Sequence, residues 1–401
     1  MSFDILFNHI KDRKNVFLTG EGGTGKSYLI NQLKEKMDID VTSTTGISAY
    51  LIKGSTIHSY SGIGVINQKQ TIKDVLKKMK KNSRAKKRII ECSILVIDEI
   101  SMLGKTYFDM LNETFKIIRN CSDPFGGICL ILTGDFMQLS PINDDYVFES
   151  DTWSSLKLET IQLNTIYRQK DEKYKGILSR IRLAQHTELD NIELFKRVKA
   201  YKETDFDQME IKPTFLTSKR IDVDQMNKDE LYKNKNELVL YQSKDEKIYE
   251  CNLDMIAPSI ISLKVDAQVM LTVNINVENG LTNGSRGVVT KLTSDSVYVK
   301  FLSGETISFE RHEFKWEEDQ KVIGIRRQFP FDLAYCTSIY KSQGSTLDMA
   351  VIDLGYSVFG HHSVYVALSR VKSLDGLYLK AYIPQKITVD QKVIDFYKNI
   401  V

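Results

Sequence analysis

Gly20-Glu21-Gly22-Gly23-Thr24-Gly25-Lys26-Ser27 has the residue types and spacing needed to hold a polyphosphate. Glycines let backbone N–H groups curl around phosphate oxygens, and a helix starting just after them adds its positive dipole end. Gly22, Gly23, Thr24 and Gly25 would form the cradle. Lys26 supplies a point charge and Ser27 an oxygen ligand for Mg²⁺. The bland alternative is a chance glycine turn. Against it, the apolar run Val16-Phe17-Leu18 precedes the loop and a helix is predicted from Tyr28 toward Lys36, so the loop joins a strand to a helix. These residues predict binding of a nucleoside triphosphate.

A second pair says what the triphosphate is for. Ile94-Leu95-Val96-Ile97 reads as a central parallel strand buried on both faces, and it ends in Asp98-Glu99. Ligands of open α/β sheets bind at the carboxyl ends of the strands. There Asp98 would hold Mg²⁺ and Glu99 would orient and deprotonate the attacking water. An acid pair capping the next helix is the structural alternative. A third strand, Ile128-Cys129-Leu130-Ile131-Leu132, runs into Thr133-Gly134-Asp135, with Gln138 close behind as a candidate γ-phosphate sensor.

Other clusters suggest contact with a polynucleotide. Val41-Thr42-Ser43-Thr44-Thr45-Gly46 is a strand entering small hydroxyls and glycine, followed by Thr56-Ile57-His58-Ser59-Tyr60. Thr45 and Gly46 suit phosphate contact, and His58 and Tyr60 offer rings on which bases stack. Arg168, in Leu163-Asn164-Thr165-Ile166-Tyr167-Arg168, and Arg370, in Ala367-Leu368-Ser369-Arg370, are each an ordinary surface base or an arginine finger. Lys69, Lys73, Lys77, Lys78, Lys80, Lys81, Arg84, Lys86, Lys87 and Arg88 face a single acid, Asp74. Ile72, Val75, Leu76 and Met79 keep helical spacing among them. That segment is either a solvated helix face or an element that meets phosphates.

Composition bounds the rest. A chain of 401 residues with 42% hydrophobic residues can bury two or more cores. The motifs above from Gly20 to Gln138 occupy its first part, leaving room for a second domain. A net charge of +3 makes any nucleic-acid face local rather than global. Five cysteines without a C-x-x-C pair read as buried thiols of a reducing compartment, and the six histidines lack metal spacing; His361-His362 reads as a surface or packing pair. The N-terminus does not read as a signal peptide, and there is no 18-residue apolar run. A soluble intracellular protein, cytoplasmic, nucleoid-associated or nuclear, is expected.

In order along the chain, GEGGTGKS, STTGISA with TIHSYSGIG, ILVIDEISML, LTGDFMQLSPI, LNTIYRQ, AQVMLTVN with GLTNGSRGVV, CTSIYKSQGSTLD and VYVALSRV resemble the superfamily 1B DNA helicases of the petite-integration-frequency (PIF) type, relatives of phage Dda and RecD. The resemblance runs from about Asn15 to Leu379. It implies that Arg168 and Arg370 are arginine fingers, Gln138 the γ-phosphate sensor, and Thr45, His58 and Tyr60 single-strand contacts. Thr337, Lys341, Ser342 and Gln343 would contact DNA or couple it to the nucleotide cleft, and Gly344 would lie against the nucleotide. The chain departs from the family in having no Gln within residues 1–20 to read the adenine edge. It also has Tyr340 where His often precedes Lys-Ser-Gln-Gly, and it ends soon after Arg370, so accessory terminal domains are expected to be absent.

The architecture expected from this resemblance is α/β, with two RecA-like P-loop domains built on parallel sheets. The first spans 1–165 with a basic, wedge-like insertion at 52–88. The second comprises 166–264 and 332–401. Gly287 to Phe314 alternates apolar and polar residues between turns, which predicts a small antiparallel β unit, and the resemblance implies that this is a small β-barrel inserted at 265–331. The expected activity is ATP hydrolysis, with ATP and Mg²⁺ bound between the domains, coupled to movement along single-stranded DNA and to unwinding. The family implies 5′→3′ polarity, a role in DNA replication, repair or recombination, and a monomer acting at single-strand/duplex junctions without a membrane. A translocase that displaces proteins without unwinding, or an ATP-switched single-strand-binding module, are the alternatives.

Overall fold

The computed structural model describes residues 2–64, 71–79, 82–218, 220–247, 251, 253–276, 281–318, 321–356, 358 and 360–400. Two compact units emerge: Met1–Tyr167 with Glu318–Gln320 and Gln391–Val401, and Arg168–Glu317 with Lys321–Asp390.

The first unit is built on a six-stranded parallel sheet. In chain order its strands are β1 (Val16–Gly20), β2 (Asp40–Ser43), β3 (Ser55–Thr56), β4 (Ile94–Asp98), β5 (Cys129–Gly134) and β6 (Glu159–Leu163). In space they run β3-β2-β4-β5-β1-β6. Every residue of β1, β4 and β5 is buried, as continuous aliphatic runs require when helices cover both sheet faces. Leu6 and Ile10 of the helix Ser2–Lys11 and Ile30 and Leu33 of the helix Lys26–Lys34 pack with Val16, Leu18, Val96 and Ile131. The register pairs Thr19 with Gly134 and Ser43 with Asp98, so the functional strand ends finish at one edge of the sheet.

The basic segment folds as two helices, Ile72–Met79 and Ser83–Glu91. Asn82 caps the second through its side chain, which accepts the Ala85 N–H at 3.0 Å. Val75 and Met79 are buried, as their spacing predicts, while Lys73, Lys77, Arg84 and Lys87 are exposed. Arg88 corrects the expectation. It is 6% exposed and belongs to the interior, not to a phosphate-facing surface. Lys69, Lys80, Lys81 and the side chain of Lys78 lie outside the described residues.

The second unit opens with the helices Glu172–Arg182 and Glu188–Glu203, then β7 (Thr214–Thr217) and the helix Arg220–Lys233. A run of antiparallel strands follows: β8 (Val239–Gln242), β9 (Lys244–Lys247), β10 (Ile260–Leu263), β11 (Gln268–Leu271), β12 (Arg286–Leu292), β13 (Val297–Phe301), β14 (Thr306–Phe309), β15 (His312–Glu318), β16 (Lys321–Gln328) and β17 (Phe331–Leu333). The chain then returns to parallel strands with β18 (Cys336–Ser338), β19 (Ala350–Leu354) and β20 (Leu377–Tyr382), in the order β18-β7-β19-β20.

Five of the antiparallel strands form a sheet in the order β14-β13-β12-β11-β17. Phe309 and Phe331, on its two edge strands, have ring centroids 5.0 Å apart, so the sheet curls and its edges approach each other. The boundary expected at residue 264 does not match this packing. Tyr241, Ile261 and Leu263 share one apolar core with Val269, Val289, Val299 and Phe331, and β9 pairs with β16. The strands β8, β9 and β10 therefore belong to the antiparallel region, because short strands find a core only against the sheet that follows them.

A second correction concerns the chain's last helix, Gln391–Ile400, expected in the second domain. It packs into the first unit. Phe396 stacks on Phe148 at 4.3 Å and meets Phe136 at 5.2 Å, Trp153 at 5.9 Å and Phe17 at 6.0 Å. Packing so large a ring against four others outweighs proximity in sequence.

Candidate functional site

The glycine loop closes β1. A Cβ on Gly20 would lie 2.5 Å from the Leu163 carbonyl oxygen, so only glycine lets β1 approach β6 there. Gly25 has φ 89 and starts the helix Lys26–Lys34, in a backbone region that side chains rarely adopt. Lys26 Nζ donates to the Gly20 carbonyl at 2.7 Å and the Glu21 carbonyl at 3.0 Å. The ammonium is thus stored beside the cradle, on acceptors that phosphate oxygens can replace. Thr24 Oγ1 donates to the Glu21 carbonyl at 2.9 Å and braces the loop, while Ser27 is exposed.

Tyr167, for which motif and spacing predict no role, lies beside the cradle. Its N–H donates to the Gly23 carbonyl at 2.8 Å, and its ring lies 3.9 Å from where a Cβ on Gly25 would stand. The ring is nonetheless 70% exposed. A large aromatic held open over a phosphate loop is a surface for a planar base. The available signal was an aromatic directly before Arg168.

Asp98 ends β4 and is 4% exposed. Burial, with the Glu99 carboxylate beside it, pushes its carboxyl up to about 7, against the opposing pull of Lys26. Glu99 stands at φ 53, ψ 42, a left-handed conformation costing a non-glycine residue on the order of 1 kcal/mol. Such a local violation is expected where function, not folding, selects the residue. Thr44 Oγ1 donates to the Glu99 carbonyl at 3.1 Å and holds the turn. A buried carboxylate in need of a cation and an exposed hydroxyl beside the phosphate cradle fit Mg²⁺. Asp98 and Ser27 are hard oxygen donors, and Mg²⁺ usually completes its shell with phosphate and water. Among the described residues no cluster of three His, Cys, Asp or Glu offers an all-protein metal site.

Gln138 follows β5 and is 4% exposed. Its N–H closes a turn onto the Asp135 carbonyl at 2.9 Å, and Asp135 Oδ1 accepts the Met137 N–H at 3.0 Å. The first unit also carries Thr45 and Gly46, where the helix Gly46–Leu51 begins; Thr45 Oγ1 accepts the Ser48 N–H at 3.2 Å. His58 is half-buried against the Tyr107 ring at 4.5 Å, and burial lowers its pKa, favouring neutral imidazole. Tyr60 departs from its expected role. It is 4% exposed, its hydroxyl donates to Asp40 Oδ2 at 2.7 Å, and Arg88 covers its ring at 4.8 Å. As folded, it presents no face to a base.

The second unit gathers the other predicted residues around Ser369. Arg168 Nη1 donates to the Ser369 carbonyl at 3.4 Å, and Gln169 Nε2 donates to the same oxygen at 3.0 Å. Arg370 is 1% exposed. Its Nε donates to the Val366 carbonyl at 2.9 Å, Nη2 to Ser369 Oγ at 2.6 Å, and Nη1 to the Ser342 carbonyl at 3.4 Å. Ser342 and Gln343 are buried, which does not suit direct contact with a strand and leaves the coupling role; the Ser342 hydroxyl donates to the Ile339 carbonyl at 2.8 Å. Ser342 thus couples Arg370 to the loop that carries exposed Lys341 and follows β18, where Thr337 is half-buried. Gly344 turns that loop at φ 82.

Residues 4–188 match the family described as PIF1-like helicase, and residues 250–292 match the 2B domain of DNA helicase Pif1. The ATP-dependent DNA helicase PIF1 of Danio rerio is 33% identical over 417 residues, covering 98% of this chain and 63% of that protein. The chain therefore spans less than two thirds of that relative's length. A crystal structure of Pif1 helicase from Candida albicans matches with a TM-score of 0.77 and 32% identity, over 100% of this chain and 99% of the other. A Pif1 helicase from Bacteroides in complex with ADP-AlF3 and ssDNA matches with a TM-score of 0.67 and 27% identity, over 99% and 96%. No described helix is long and apolar enough to cross a membrane.

Proposed function

The chain belongs to the PIF1-like helicase family, and from that membership we propose that it is an ATP-driven motor that moves along single-stranded DNA and opens duplex ahead of it. The observation that carries this reading is the strained Glu99 beside buried Asp98, on the same sheet edge as the glycine cradle. A carboxylate base poised next to a phosphate site suits hydrolysis, whereas a phosphotransferase would have to exclude water.

In this reading the loop N–H groups and Lys26 hold the β- and γ-phosphates while Tyr167 stacks on the base. That stacking offers a means of holding adenine in a chain with no Gln in residues 1–20. Ser27 and Asp98 would hold Mg²⁺, whose charge offsets that of the phosphates. Glu99 takes a proton from the attacking water, and Gln138 senses the γ-phosphate. Arg168 and Arg370 meet the charge that develops on it. Thr45, Gly46 and His58 in the first unit, with Thr337 and Lys341 in the second, grip the strand. The exposed bases Lys73, Lys77, Arg84 and Lys87 meet duplex phosphates as a wedge. Polarity is proposed as 5′→3′, with one copy of the chain as the motor unit.

A strand-displacement assay on 5′-tailed and 3′-tailed duplexes tests the proposal. ATP-dependent displacement of the 5′-tailed substrate alone is the expected result. Displacement of neither, with hydrolysis indifferent to oligonucleotide, would reject the motor.

A further inference from the structure

Beneath the phosphate loop, one hydroxyl of the last helix joins two strand ends. Tyr397 OH donates to Asp135 Oδ1 at 3.1 Å and accepts the Phe136 N–H at 3.1 Å, and it lies 2.8 Å from Thr19 Oγ1. With the phenol proton directed to the carboxylate, Thr19 is the donor in the third bond. One donor and two acceptor positions are then used, which is the full capacity of a hydroxyl. Thr19 is the residue before Gly20, and Asp135 opens the turn that ends at Gln138. Thr19, Asp135 and Phe136 are all 0% exposed. Without the phenol the buried Phe136 N–H and Thr19 Oγ1 lose this partner, while Asp135 Oδ1 keeps the Met137 N–H.

The helix is anchored on the same core. Half-buried Phe396 packs against Phe17, Phe136, Phe148 and Trp153, and Lys392 pairs with Glu149 at 2.6 Å. The second unit ends at Asp390 and the helix starts at Gln391, so the Tyr397 node is joined by continuous chain to the second unit.

We propose that Tyr397 is a positioning residue for hydrolysis: its hydroxyl sets the Asp135–Gln138 turn relative to the phosphate loop, and docking of the last helix is a condition for full turnover. This rests on the assignment of Gln138 as γ-phosphate sensor. Tyr397 acts through Asp135 and Phe136, so its loss should affect the transition state and spare ground-state binding.

The test is Tyr397→Phe in the full chain, assayed with single-stranded oligonucleotide. kcat should fall between about tenfold and a hundredfold with KM for ATP nearly unchanged. ADP with aluminium fluoride should bind more weakly by a similar factor, and ADP alone as before. Ile10→Ala, which opens a cavity in the separate core that Ile10 shares with Val16 and Leu18, should lower the melting temperature and leave the ratio of these affinities unchanged. Gln138→Ala separates the two assignments. If it hydrolyses at the parent rate, the sensor assignment fails; if it is impaired while Tyr397→Phe is not, only the positioning role fails. Should Tyr397→Phe not fold, hydrogen exchange on the unaltered protein decides. ADP with aluminium fluoride should slow exchange in residues 391–400 together with 135–138, and protection confined to 135–138 would overturn the proposal.

Discussion

The Arg88 guanidinium stands 4.8 Å from the centre of the Tyr60 ring, and its Nε donates to the Tyr60 carbonyl at 3.0 Å. Its Nη2 reaches the Ser59 carbonyl at 3.3 Å as well. One base of the positively charged segment therefore serves as an internal clamp on the Thr56–Tyr60 segment, and the ring it covers is a spacer rather than a platform. Arg88→Ala should destabilise the protein by about 1.5–3 kcal/mol, the range for buried hydrogen bonds to a charged group. Arg88→Lys should recover little, since an ammonium cannot lie over the ring while reaching both carbonyls. Urea unfolding of the three proteins checks this.

Glu99→Gln should bind ATP as the parent does and lose hydrolysis by about 10²–10⁴-fold, the usual contribution of a general base. The cradle, Lys26 and Ser27 are untouched by the change. Single-turnover hydrolysis beside fluorescent-nucleotide binding separates the two effects, and parental turnover would remove Glu99 from the lytic role.

Arg168→Ala should abolish most oligonucleotide-stimulated hydrolysis and leave DNA affinity nearly intact. Arg168 is half-buried and donates to the Ser369 carbonyl at 3.4 Å, less enclosed than Arg370. Arg370→Ala should lose stability as well as rate, because Arg370 is 1% exposed and holds Val366, Ser369 and Ser342. Melting curves alongside stimulated ATPase rates distinguish the two arginines.

Replacing Lys73, Lys77, Arg84 and Lys87 with Gln should weaken binding to a single-strand/duplex junction and flatten its salt dependence, since fewer counterions are released. ATPase stimulated by a short single strand should change less. An unchanged salt slope measured by anisotropy would make the segment a solvated surface.

Asp190 accepts Arg180 Nε at 2.7 Å, the Thr187 N–H at 2.8 Å and Thr187 Oγ1 at 2.9 Å. Its partnership with Arg180 pulls its carboxyl down to about 2. A folded value below the unfolded one means that this stability is present at neutral pH. It is lost as pH falls from about 4 through 2. The loss should be roughly 2 kcal/mol, less whatever solvent screens at the partly exposed Arg180. Asp190→Asn should remove a similar amount at neutral pH and flatten the acid limb of the unfolding profile.

The sequence by itself determined the nucleotide site and the parallel sheet beneath it. Gly20 to Ser27, Asp98-Glu99 and Gln138 were legible because phosphate chemistry needs particular residues at short spacing, and β1, β4 and β5 because strands buried on both faces must be aliphatic throughout. Tertiary structure alone decided whether Tyr60, Ser342 and Gln343 face a strand or the interior, since burial depends on what packs above them and not on residue type. It also decided that β8 and β10 join the antiparallel core and that the last helix returns to the first unit. Helical spacing in 391–400 shows an apolar face but not its partner. That partner is set by shape and hydrogen bonding, which put Phe396 among four rings and the Tyr397 hydroxyl on Asp135, more than 250 positions away in the chain.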